Sequence, residues 1–194
     1  LVEELKAVRE ALEDISGNTV TNEKLQAAIR LYNRKNAAMR AFCRTANDHL
    51  DLVKPADRHH VMKAVTFLKP ERAVEMVSEL TAALNAEPVH RFAGKKVVLT
   101  GITCDPDDIL GYFDQCGVAV VGDDLAQESR QYRTDYPSAN SGMESLALHW
   151  FGVKGCSSAH DDNNTARGDM LAAMAKEAGA DCVVGKALSL LAWD

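Results

Sequence analysis

The spacing of apolar residues changes character once along the chain, near residue 90, and that change constrains the fold more than any other feature. Before it, apolar positions recur at helical spacing; from Lys95 onward they come in short continuous runs. The first pattern belongs to helices with one buried stripe, the second to strands covered on both faces. Val2, Leu5, Val8, Leu12 and Ile15 define an opening helix stopped by Ser16-Gly17-Asn18. Thr21 then caps a second helix, with Glu23 in its positive first turn and one stripe through Leu25, Ile29, Tyr32, Met39, Phe42, Cys43, Ala46 and Leu50. Pro55 and Pro70 each start a further helix, because proline lacks only an N–H that is unpaired there anyway.

Beyond Gly94 the run Lys95-Lys96-Val97-Val98-Leu99-Thr100-Gly101 predicts a buried strand. Asp105-Pro106-Asp107-Asp108 opens a helix that Gly117 ends, with Asp105 as cap, and Gly117 to Gly122 is the next strand, completing a βαβ unit. Met143 to Phe151 predicts a short helix, Thr165 to Ala178 another, and Asp181 to Leu188 a third buried strand. The expected class is α/β: a helical segment over 1–86, a connector over 87–94, and a doubly wound, Rossmann- or flavodoxin-like parallel-sheet domain over 95–194, truncated at its end.

Charge and cysteine usage exclude several functions. With 22 Lys+Arg against 28 Asp+Glu the net charge is −6 and no basic cluster stands out, which argues against a nucleic-acid partner. No apolar run approaches the roughly 20 residues that span a bilayer, so no membrane association is expected. Five cysteines without a repeated spacing point to a reducing, cytoplasmic location rather than a disulfide framework. Leu1-Val2-Glu3-Glu4-Leu5 has neither an initiator Met nor a signal-type run, and the chain reads as part of a longer protein.

Ligands of open parallel sheets bind beyond the carboxyl ends of the strands. That directs attention to Thr100 and Gly101 after the first strand and to Asp123 and Asp124 after the second. The first loop has no G-x-G-x-x-G pattern, and Asp105, Asp107 and Asp108 would repel a pyrophosphate at the helix N-terminus, so no nucleotide is expected there. Those aspartates read first of all as ordinary helix-capping residues. Asp123, Asp124, Ser129, Arg130 and Arg133 form the candidate substrate or interface loop, since carboxylates and guanidiniums at this edge can orient one another, bind an anion or settle a contact between subunits. The plain alternative is a solvated salt-bridge loop of little energetic weight. Cys43, Cys116 and Cys182 read as core residues, and the histidines at 49, 59, 60 and 149 as surface or internally satisfied groups. Cys104 and Cys156 sit in loops and are the metal candidates, although Cys156 and His160 have no partner motif that completes a set. No catalytic residue emerges from spacing alone.

The order of Gly94 to Gly101, Asp107-Asp108-Ile109-Leu110, Val120-Val121-Gly122-Asp123-Asp124 and Ser129-Arg130-Gln131-Tyr132-Arg133-Thr134-Asp135 resembles the 2-hydroxyacyl-CoA dehydratase family, and its β-like subunits in particular. Gly17 to Leu25, Tyr32-Asn33-Arg34 and Arg167-Gly168 to Asp181 extend the resemblance over most of the chain. The resemblance implies an oxygen-sensitive heterodimer with an α-like subunit, an ATP-dependent activator protein that supplies one electron, and a 4Fe-4S cluster held by cysteines. The implied reaction removes water from an (R)-2-hydroxyacyl-CoA through a ketyl radical to give an enoyl-CoA. Where family members carry a cysteine after the last strand, Leu190-Leu191-Ala192-Trp193-Asp194 has none, so the cluster ligands are expected outside this chain. The related benzoyl-CoA reductase subunits, and a subunit-assembly module without catalysis, are the alternatives. On its own the chain is expected to be inactive.

Overall fold

The structure, a computed structural model, describes residues 1–104, 107–153 and 166–185, with Asp107 described by its backbone alone. Four helices come first: α1 (Val2–Ser16), α2 (Asn22–Asp48), α3 (Pro55–Phe67) and α4 (Pro70–Ala86). There follow β1 (Lys95–Gly101), α5 (Asp107–Gln115), β2 (Val118–Leu125), a 3-10 turn (Ser129–Gln131), α6 (Gly142–Gly152), α7 (Ala166–Glu177) and β3 (Cys182–Gly185). The helix boundaries follow local chemistry. Gly17 closes α1 in the left-handed conformation at φ 67°, which costs a residue without Cβ little. Thr21 caps α2 by accepting from the Lys24 N–H at 3.3 Å, and Pro55 and Pro70 occupy the first turns of α3 and α4. The proposed cap at Asp105 and Pro106, the residues from 154 to 165, and strand positions beyond Gly185 lie outside the described residues.

Met39, Phe42 and Ala46 of α2 pack with Met62 and Val65 of α3 and Ala73, Val77 and Leu84 of α4. Tyr132, from the segment after β2, completes this helical core. The three strands are parallel in the order β2-β1-β3, so the chain leaves β1 for one neighbour and returns to its other side. That reversal is the topological switch of flavodoxin-like sheets, and it opens a crevice beyond the carboxyl ends of the strands. Val97, Leu99, Val120, Leu125, Cys104 and Leu110 bury one sheet face, while Ala119, Val121 and Leu50 form a cluster on the other.

Three expectations need correction. β2 does not stop at Gly122 but runs to Leu125, because the ladder to β1 continues through Leu99↔Asp123, Thr100↔Asp124 and Gly101↔Leu125. β3 is an edge strand among the described residues, and Cys182 at its head is exposed rather than buried. Cys116 is exposed as well, in the turn that follows α5 and precedes Gly117.

The β1–β2 register shifts between Val97 and Val98: Val97 pairs with Val120, but Val98 pairs with Gly122. Val121 is thus an extra residue in β2, a bulge that re-phases everything after it. Its carbonyl accepts from Asn47 Nδ2 of α2 at 2.8 Å, so the long helix holds the irregularity in place.

Candidate functional site

The bulge determines where the two aspartates point. After it, Asp123 shares a face with Leu99 and Leu125, and Asp124 shares the opposite face with Thr100. Both are buried, at 2% and 0% exposure, which sets aside the solvated salt-bridge alternative.

Asp124 is enclosed by three guanidiniums. Arg130 binds it through Nε on Oδ1 and Nη2 on Oδ2, both at 2.9 Å, in the two-pronged geometry that suits a carboxylate. Arg133 Nη1 reaches Oδ1 at 2.7 Å, and Arg167 Nε, from α7, reaches Oδ2 at 3.2 Å. The Thr100 hydroxyl lies 3.3 Å from Oδ2 and accepts from Arg167 Nη2 at 3.0 Å. Burial alone would raise the Asp124 carboxyl, but the hydrogen bonds and charges of Arg130 and Arg133 outweigh it and hold the group below the ordinary aspartate range. Three cations around one carboxylate leave the cluster positive, with Arg130 and Arg133 mostly buried and Arg167 41% exposed at the sheet edge. Gly101, which follows Thr100, has φ 151°, a conformation side chains disfavour, and it lets the chain leave β1 close beside this cluster.

Asp123 faces the helices instead. Its Oδ1 accepts from the backbone N–H groups of Leu125 and Ser129 at 3.1 and 2.9 Å, while Ser129 Oγ donates to the Asp123 carbonyl at 2.5 Å. Oδ2 is buried without a hydrogen-bond partner. Burial first, and the nearby Glu128 carboxylate second, push its pKa up against the opposing charge of Arg58. Glu128 meets His59 across 2.7 Å, both groups being buried, and a carboxylate that close places a proton on His59 Nδ1. The Tyr132 hydroxyl lies 3.2 Å from Cys43 Sγ, and burial pushes both groups up in pKa.

A second set of contacts fastens the segment after the 3-10 turn to α2. Arg40 takes Asp135 with two prongs at 2.9 and 2.8 Å and also the Tyr132 carbonyl at 2.8 Å. Asn33 both donates to the Tyr136 carbonyl and accepts from its N–H, at 2.9 and 2.8 Å. Tyr136 stacks on His149 of α6 with centroids 4.0 Å apart, beside a cavity of about 300 Å³ that Arg130 also lines.

The structure therefore gathers Thr100, Asp124, Arg130 and Arg133, places Gly101 beside them, and turns Asp123 and Ser129 to the other side of the strand. Arg167, Arg40, Arg58, Asn33 and the His59–Glu128 pair had no role from sequence alone. Arg58 and His59 carried a usable signal, since Pro55, Met62 and Val65 continue the same buried stripe of α3. Cys104 is 3% exposed and belongs to the sheet core, and Cys156 lies outside the described residues. Among the described residues no group of three or more His, Cys, Asp or Glu could hold a metal ion. No described helix is long and apolar enough to cross a membrane.

The family model described as 2-hydroxyglutaryl-CoA dehydratase, D-component, matches residues 1–188. The chain belongs to this family. Three relatives show its neighbourhood. Lactoyl-CoA dehydratase subunit beta of Anaerotignum propionicum is 39% identical over 95% of this chain and 49% of its own length. The (R)-phenyllactyl-CoA dehydratase beta subunit of Clostridium sporogenes is 38% identical over 90% of this chain and 46% of its own. A benzoyl-CoA reductase subunit of Thauera aromatica is more distant, at 25% identity over 93% of this chain and 48% of its own. The chain thus spans about half the length of the curated relatives it matches.

Proposed function

We propose that this chain forms part of a β-like subunit of a 2-hydroxyacyl-CoA dehydratase, an assembly that removes water from an (R)-2-hydroxyacyl-CoA to give an enoyl-CoA. The observation that carries the reading is the Thr100/Asp124/Arg130/Arg133/Arg167 cluster at the switch-point edge of a chain from this family. Its surplus positive charge suits the anionic thioester, and its carboxylate, held ionised by arginines, is a poor base. The cluster therefore binds and orients rather than moving protons. The enzyme is completed by an α-like subunit, an ATP-dependent activator delivers the electron for a ketyl-radical route, and the 4Fe-4S cluster is held by cysteines outside this chain. The chain by itself is inactive.

The test uses the assembled enzyme, with the α-like subunit and activator supplied. Arg167→Gln, at the exposed rim, is expected to lower kcat/KM for the 2-hydroxyacyl-CoA about tenfold or more, as loss of one charge-assisted hydrogen bond does, while the complex still assembles. Wild-type turnover with normal assembly would reduce the cluster to a structural one. A second reading, a subunit-assembly module that uses the Asp123/Arg130/Arg133 loop for a subunit interface, is favoured by the apolar groups left exposed on α1 and α6, notably Leu12, Ile15, Trp150 and Phe151. Failure of Arg130→Ala and Arg133→Ala to bind the α-like subunit, with thioester binding intact, would favour it.

A further inference from the structure

A cavity of about 480 Å³ lies between α2, α3 and residues 126–132, and none of the residues around Asp124 lines it. Its volume falls within the range of small-molecule sites. Met39, Met62 and Val65 are buried in its apolar lining, and Leu68 is partly buried there. Set against this lining is Lys35, half-buried, with Nζ 4.5 Å from the centroid of the Tyr32 ring. Among the described residues Lys35 meets no carboxylate. Glu128 is the acidic group of the lining, and it faces His59 at 2.7 Å. Exposed Lys63 also borders the cavity. An ammonium without a counter-charge beside apolar walls is costly, and burial accordingly pushes the Lys35 pKa down. A singly charged anion with an apolar body would supply the missing charge and cover the methionines. A phosphate dianion is better matched by forked guanidiniums or backbone N–H groups.

We propose that this cavity binds a medium-length monocarboxylate, its carboxylate on Lys35 and its apolar body against Met39, Met62, Val65 and Leu68. The site stands independently of the dehydratase reading, since it concerns binding of a free acid to this chain. Calorimetric titration with hexanoate, and with hexan-1-ol as the uncharged counterpart, tests it. Hexanoate binds, hexan-1-ol binds about tenfold more weakly or less, and Lys35→Met lowers hexanoate affinity about tenfold without changing that for hexan-1-ol. Lys35→Arg retains hexanoate binding, which separates loss of charge from loss of fold. Met62→Trp, which fills the cavity, weakens both ligands. Hexanoyl-CoA, whose carboxyl is masked, does not displace hexanoate. The proposal is overturned if Lys35→Met binds hexanoate like the wild type, or if Arg167→Gln weakens it and Lys35→Met does not. Lys35-dependent displacement by hexanoyl-CoA would assign the anion to CoA and sink the carboxylate assignment.

Discussion

Asp123 and Asp124 are adjacent, equally buried and electrostatically opposite. Asp124 sits below the ordinary aspartate value of 3.8, so its stabilisation is present above that value and lost as pH falls through the folded one. Asp123 sits above 3.8 and keeps its proton in the fold where the unfolded chain has lost it; stability from it is full below 3.8 and declines as pH rises through the folded value. Asparagine distinguishes them. Asp124→Asn leaves three guanidiniums without their carboxylate and is expected to cost about 3–5 kcal/mol near neutral pH, the usual penalty for breaking a buried ion pair from one side. Asp123→Asn keeps an oxygen for the Leu125 and Ser129 N–H groups and imitates the protonated acid. It should cost less and should flatten the decline in stability as pH rises from about 4, a comparison that urea unfolding at two pH values makes directly.

Among the elements, the stretch from Tyr132 to Tyr136 has no regular secondary structure yet is held like one, because α2 supplies the hydrogen bonds a ladder would. Asn33 contributes two of them, to one residue, and Asn33→Ala should destabilise by about 1–3 kcal/mol while raising hydrogen-exchange rates at residues 132–136 above those in α4. Such contacts separate what sequence reading reaches from what it does not. Thr21, Pro55, Pro70 and Gly17 are legible because caps and stops depend on neighbours a few residues away. The meeting of Thr100, Asp124, Arg130 and Arg133 is legible because the strand ends bring them to one edge. Arg167 joins Asp124 across 43 positions and Asn33 joins Tyr136 across 103, and no local pattern encodes either pairing. The exposure of Cys182 depends on where β3 falls in the sheet order, which Val183-Val184 alone does not disclose.

Across the whole molecule, burial is uneven. α1 has no buried residue: Val8 and Leu12 are each 56% exposed and Ile15 is 84% exposed, although their spacing is that of a core-facing stripe. Phe42, at 1%, lies at the opposite extreme. Leu12→Ser should therefore change the unfolding free energy by no more than about 0.5 kcal/mol, whereas Phe42→Ala should cost about 3–5 kcal/mol; denaturant titration of both checks whether the described contacts account for the stability. The helical core and the sheet are joined through Tyr132, Asn47 and the face of β2 that carries Asp123, and which aspartate takes that face is a matter of parity. With β2 paired residue for residue, Asp123 would stand opposite Thr100, away from the helices, and Asp124, opposite Gly101, would take the helical side. Val121 makes the count odd. A one-residue deletion ordinarily turns every following side chain over, but removing Val121 should erase the irregularity, leave both aspartates on their present faces, and sacrifice only packing against Leu50 and the bond to Asn47. In this strand, losing a residue is the quiet change, and gaining a second one at the same place would exchange the partners of the two acids.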